Sequence, residues 1–188
     1  MELKLSDIEA LAPKGYGNID SEPFKEYEER IKPYLPNIPS CVLEQFFHRH
    51  WNDVLSTWSW IGLKELKFEK LTWKTEKVLE FIKSHQEDLI DSYEKQFETS
   101  SMFQSSWLGS YMLTNGTWPS PIIVLHNENN IKFPNGIPLQ EPYSLMEGHH
   151  RLAYFRFIKK NHPSIIQGVH SLWLATPNTD KILKTWKA

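Results

Sequence analysis

One cysteine, Cys41, stands in a chain of 188 residues. A disulfide framework is thereby excluded, and a reducing compartment is the simple expectation. Next to apolar Val42 and Leu43, Cys41 reads as a small core residue more readily than as a nucleophile. Long apolar runs are lacking too. No stretch approaches the roughly 18 residues that a helical membrane span requires, and the start, MELKLSDIEA, has no apolar signal-peptide core. The expectation is a cytoplasmic protein, or one exported without a cleavable signal. Nor is there an excess of positive charge. Lys and Arg number 21 against 23 Asp and Glu, a net charge of −2 with eight His neutral. This balance supplies no general basic face for nucleic acid, which leaves only a local patch. Cysteine clusters, HExxH, GxSxG and GxxxxGK[ST] patterns are missing, as are internal repeats and low-complexity tracts.

What is present is ordinary globular material: 40% apolar and 23% charged residues. Aromatic residues make up 13%, with eight Trp, enough to build a sizeable core or to line a groove. The length suits one domain, or one domain with an extension.

Residues 1–40 are punctuated by Pro13, Gly15, Gly17, Pro23, Pro33, Pro36 and Pro39, with one short helix expected at FKEYEERIKPYL. Ser40 is placed to cap an amphipathic helix. Val42, Leu43, Phe46, Phe47, His50, Trp51, Val54, Leu55 and Trp58 recur at helical steps until Gly62. LKELKFEKL alternates and predicts a strand. From Thr72 a further helix is expected, with Val78, Leu79, Ile82, Leu89, Ile90, Tyr93 and Phe97 as its stripe. The Ser- and Gly-rich stretch 99–120 reads as a loop with a short helix at SSWLGSYML. PIIVLHN reads as a buried strand, and YSLMEG as a second. Between them Asn135-Gly136 marks a tight turn. HHRLAYFRFIKKN reads as a helix ended by Asn161 and Pro163, and IIQGVHSLWLA as the last strand. The polar tail begins at Pro177. The division expected is an N-terminal helical extension over 1–62, a core over 63–176 and a tail over 177–188.

The segment PYSLMEGHHRLAYFRFIKK carries the chemistry. A strand ends at Met146 or Glu147, Gly148 turns the chain, and a helix follows at once. A helix start presents N–H groups and a partial positive charge to an anion. Gly148 removes the side chain that would block a phosphate. His149, His150 and Arg151 add donors, Arg151 as a fixed fork suited to phosphate oxygens. Glu147 is placed to bind a Mg²⁺ accompanying the phosphates, or to act as a base. The plainer alternative stays open: any strand-to-helix turn can hold Gly, and His, Arg and a carboxylate are ordinary surface groups there.

These residues resemble the ParB/sulfiredoxin superfamily, whose strand-to-helix motif has the form [ED]-G-x-[HR]-R. ParB proteins show GERR at this place, sulfiredoxins GCHR, and free-serine-kinase-like members DGHHR; this chain has EGHHR over 147–151. The family's upstream PI-x-V strand matches Ser120-Pro121-Ile122-Ile123-Val124, and LKELKFEKL with KTEKVLEFIKSH stand for its earlier strand and helix. The resemblance spans roughly residues 63–175. It implies an α+β fold, a small mixed sheet with packed helices, preceded here by the N-terminal helical extension. It implies that Gly148, His149, His150 and Arg151 cradle a nucleotide's phosphates. Glu147 matches an acidic catalytic residue of the kinase-like branch, and Glu76 is the nearest candidate for a second. Lys77 or Lys74 would reach phosphate from the same helix start, or stay solvated. The chain departs from sulfiredoxins in having His149 at their cysteine position. It departs from ParB proteins in having His149-His150 at their Glu-Arg and in lacking a DNA-binding motif.

Three functions follow as expectations. The first is an enzyme, a phosphotransferase or nucleotide hydrolase using ATP or a related nucleotide with Mg²⁺. In it Glu147 acts as base or metal ligand, and His150 and Arg151 neutralise developing charge. The second is a binding module for a nucleotide or other phosphate-bearing ligand, with the Trp-rich N-terminal helices on a protein partner. The third is a ParB-like nuclease or DNA-binding protein, disfavoured by the charge. His48 and His50, two apart, face different sides of a helix and make a poor metal pair. Trp51, Trp58 and Trp60, at helical spacing, read as packing before a base-stacking groove.

Overall fold

In the computed structural model residues 9–128 and 130–178 are described. The chain divides into two compact units. One runs to Phe68 and takes up the chain again from Thr176; the other is Glu69–Ala175. The sequence reading placed its boundary after residue 62. From residue 179 on, the polar tail lies outside the described residues.

In the first unit α1, Phe24–Ile31, buries Tyr27 and Ile31, four residues apart on one face. Its Arg30 grips Glu22 through Nε (3.0 Å) and Nη2 (2.6 Å), and Nη2 also donates to the Ala12 carbonyl at 2.8 Å. The Arg30 hydrogen bonds hold the Glu22 carboxyl at about 2. The amphipathic helix expected from Ser40 to Gly62 is not continuous. It breaks up into helical turns at Ser40–Val42 and Trp51–Asp53, wider π-type turns at Leu43–His48 and Val54–Trp58, and a 3-10 turn at Ser59–Ile61. His50, at φ −128° and ψ 42°, leaves the helical region between them. Gly62 ends the run in the left-handed region, φ 76°. Ser40 is the first helical residue and Pro39 the cap, with no side-chain capping bond. Cys41 is exposed, not a core residue. Trp51 and Trp58 are buried, and Trp60 is half-buried, donating to the Thr57 carbonyl at 2.6 Å.

The strand expected at 63–71 begins later, as β1, Lys67–Lys74. Asn37 Nδ2 explains the delay. It donates to the carbonyls of Leu63 and Leu66, both at 2.9 Å, and so takes acceptors that a ladder would need.

The second unit is built on a five-stranded mixed sheet in the order β1-β5-β3-β4-β2. The single helix expected from Thr72 is two helices, α2 (Thr75–Phe81) and α3 (Glu87–Thr99), parted by β2 (Ile82–Lys83). Val78 and Ile90 are fully buried in one core although they belong to different helices, which is why their spacing reads as one stripe. The stretch after α3 is more helical than a loop: α4 is Ser101–Ser105 and α5 Trp107–Asn115. Ser106 caps α5 by accepting from the Gly109 amide at 3.1 Å. A Cβ on Gly109 would lie 2.2 Å from the Phe103 carbonyl oxygen, so only glycine permits this close approach.

β3 (Ile122–His126) runs parallel to β5 (Val169–Thr176) and antiparallel to β4 (Tyr143–Glu147), and β2 pairs with β4 in parallel. β5 begins at Val169, four residues after the expected start of the last strand at Ile165, which is the final residue of a 3-10 turn, Pro163–Ile165. α6, His149–Asn161, covers one sheet face. Leu152, Phe155 and Ile158 pack with Ile122, Val124, Leu145, Leu172 and Leu174. The unit is thus an α+β layer of helices on a mixed sheet.

Candidate functional site

The β4–α6 junction forms as the sequence pattern predicts. Gly148 sits at φ 110° and ψ 27°, a region closed to most L-residues. A Cβ there would also lie 2.6 Å from Cγ2 of Ile122. Glycine is therefore required twice, by backbone conformation and by contact with β3. The Leu152 amide closes the first helical turn on the Gly148 carbonyl at 2.9 Å. No side chain caps the helix from Gly148, and no acidic residue lies in its first turn.

Arg151 is placed differently from the solvent-facing fork that the sequence suggests. It is 7% exposed. Nη1 donates to the Ser120 carbonyl (2.7 Å), the Ser120 hydroxyl (2.8 Å) and the Pro121 carbonyl (3.1 Å), while Nη2 is bonded to Oε2 of Glu147. The geometric reason is the turn at Gly148: Glu147 ends β4 and Arg151 lies in the first turn of α6, so the chain reversal brings the strand end beside the guanidinium. The guanidinium thus ties the end of β4 to the segment entering β3. Replacing it would strip a half-buried carboxylate and two carbonyls of a donor, so it acts on the fold as well as on any ligand.

His149 is half-buried, its ring centre 6.5 Å from that of His85. His150 is exposed and stacked on Tyr93 of α3, with centres 3.8 Å apart and planes at 23°. Glu147, Gly148, His149 and His150 therefore share one corner with His85 and Tyr93. Burial pushes the His85 pKa down.

Glu76 and Lys77 are not shown at this corner. Both are exposed on the first turn of α2. Lys77 Nζ lies 3.9 Å from the Trp73 ring centre and 5.9 Å from that of Tyr143, the residue at the opposite end of β4 from Glu147. The start of α2 is fastened instead to β5. Thr75 Oγ1 donates to the Gln167 carbonyl at 2.6 Å, and its amide to the Gly168 carbonyl at 3.1 Å. With that hydroxyl proton committed, His170 Nε2 donates to Thr75 Oγ1 (2.9 Å) and Nδ1 accepts from Thr117 Oγ1 (2.8 Å). Burial holds the His170 pKa at about 4. Lys74, the residue before α2, is exposed. His48 and His50 do not form a metal pair: His48 Nε2 is 2.6 Å from the Glu22 carbonyl oxygen, and His50 is exposed. Among the described residues no group of three or more His, Cys, Asp or Glu is placed to hold a metal ion. No helix among them is long and apolar enough to cross a membrane.

The sequence reading passed over His85, Tyr93 and Ser120. His85 follows β2, whose strand character comes from pairing with β4 some 60 residues later, so its place carried no local signal. Ser120 stood in the motif quoted for the PI strand, but its bond to Arg151 spans 31 residues. Comparisons with protein-family models, with curated proteins and with solved structures find no match for this chain.

Proposed function

We propose that the β4–α6 corner binds the phosphates of ATP or a related nucleotide, and that the chain is a Mg²⁺-dependent phosphotransferase or nucleotide hydrolase of ParB/sulfiredoxin type. One observation carries the reading. The first turn of α6 holds His149, His150 and Arg151 and no acid, directly after the turn that Gly148 makes. With Arg151 paired to Glu147, the helix start and the two imidazoles are what an anion would meet.

Each residue then has a task. Gly148 lets phosphate oxygens come close to the backbone. His149 and His150 donate to them. Arg151 positions Glu147 through the bond to Oε2. Mg²⁺ would be held by Glu147 together with the phosphate oxygens, since a single carboxylate suffices for that mode. Once bound it would supply charge neutralisation during transfer. Glu76 and Lys77 enter this scheme only if the ligand extends to α2.

A second reading, a nucleotide-sensing module without turnover, is favoured by one specific contact: the carboxylate of Glu147 is already engaged by Arg151. Thermal shift against nucleotides with and without Mg²⁺ tests binding, because a ligand that prefers the folded state raises the melting temperature. Nucleotide turnover that is lost in Glu147→Gln while binding persists supports the enzyme. Binding with no turnover in the wild type supports the module. No shift with any nucleotide or with pyrophosphate rejects both.

A further inference from the structure

β2 and β4 lie side by side in parallel, with Lys83 opposite Ser144, so the chain leaves both strands at the same edge of the sheet. The two exits match in sequence. His85 comes two residues after β2 and His149 two residues after β4, each just ahead of or within the first turn of a helix. The rings stand 6.5 Å apart between centres, at 86°. Phe133, from the β3–β4 connection, meets the His85 ring edge-on at 4.9 Å and fixes its plane. Ligands of open α/β sheets collect at the carboxyl ends of parallel strands, and β2–β4 is one such pair in the unit, β3–β5 being another.

The charges around the edge select the ligand. On the β2 side, Glu87 closes its own helix start by accepting from the Ser84 amide at 2.5 Å, and Arg156 holds the same carboxylate at 2.7 Å. That helix start carries its own anion. On the β4 side the first turn is cationic or neutral. An anion is thus disfavoured at the α3 start; at the α6 start the Glu147 carboxylate is paired with Arg151, and His85 stands 6.5 Å from His149 at the neighbouring exit.

We propose that His85 is a further binding residue of the phosphate site, and that it and His149 hold one phosphoryl group of the ligand from two sides. This rests on the phosphate reading of the β4–α6 corner. A ring nitrogen lies about 1 Å from its ring centre and bonds oxygen at about 2.8 Å, so two rings bonded directly would have centres about 5 Å apart. The observed separation is wider, and oxygens of one phosphoryl group span it. Among the described residues no third His, Cys, Asp or Glu joins the two imidazoles to make a metal-binding group.

Titration calorimetry of the full chain with pyrophosphate, and then with ADP, tests this. His85→Phe keeps an aromatic ring against Phe133 and removes both nitrogens. It is expected to weaken pyrophosphate binding roughly tenfold, one lost charge-assisted hydrogen bond. His149→Phe is expected to do the same. In the wild type the His85 ring ¹⁵N resonances are expected to move on titration. Undiminished affinity in His85→Phe, with ¹⁵N resonances that stay in place, overturns the inference and leaves the phosphate site standing. Should His85→Phe not fold, the ¹⁵N response of the wild type decides alone. Failure of the wild type to bind either compound removes the site and the inference together.

Discussion

Two helices in one unit begin just after parallel neighbouring strands, and they handle the same electrostatic problem in opposite ways. α3 starts with Glu87 and Asp88, and Glu87 accepts from the Ser84 amide in the manner of a capping acid. Burial alone would raise its pKa, but the bonds from Arg156 and Ser84 outweigh that and lower it. α6 starts with His149, His150 and Arg151 behind a bare glycine. A protein that needs only a stable helix start has the α3 solution within reach of ordinary sequence. The α6 arrangement forgoes it and keeps a left-handed glycine pressed against Ile122 besides. The contrast teaches where to look for an external anion.

The largest effect that would sharpen the contrast is expected from the two arginines of α6, each of which serves one of these corners. Arg151→Ala should lower stability by about 3 kcal/mol, since it leaves the half-buried Glu147 carboxylate unpaired and the Ser120 and Pro121 carbonyls without their donor. Arg156→Ala, whose pair with Glu87 is more exposed, should lose only about 1 kcal/mol. Urea denaturation of both variants measures the difference, and equal losses would break the contrast. Gly148→Ala comes next. The left-handed strain and the clash with Ile122 together should remove about 2–4 kcal/mol, read by the same method.

Acid gives a third measure, centred on His170 of β5, whose ring meets Phe155 of α6 edge-on at 4.6 Å. His170 is neutral when folded, with its pKa near 4 against about 6.5 when unfolded. Its stabilising contribution is complete above pH 6.5 and is lost as the pH falls from there to 4, because only the unfolded chain takes up the proton. The loss amounts to about 3 kcal/mol. Stability measured across that window should therefore slope in the wild type and be flatter in His170→Gln. The carboxylate of Glu87, lowered in the fold, gives way only at more acid pH, so the two regions separate on the pH axis. The smallest effect is at α3 itself: Glu87→Gln should lose about 1 kcal/mol by weakening the cap and the Arg156 bond.

How far all this was legible follows from the range of the interactions involved. α1, β3, β4 and α6 were readable because local periodicity and turn residues set them, and so was the β4–α6 corner, which lies within five consecutive residues. The split of 72–97 into α2, β2 and α3 was not. Ile82 and Lys83 become a strand only beside Tyr143 and Ser144. The displaced start of β1 depends on Asn37, 26 and 29 residues before its two acceptors. At the corner the residue types were visible in sequence, but the direction of Arg151 was not, because Ser120 and Pro121 are brought to it by the antiparallel pairing of β3 with β4.

The Arg151 fork also bears on how this part of the molecule opens. A single side chain closes both the first turn of α6 and the chain entering β3, so neither segment can loosen without releasing the other. Amide protons at 120–122 and 149–152 should then exchange with solvent in one cooperative event, although some thirty residues of chain separate them.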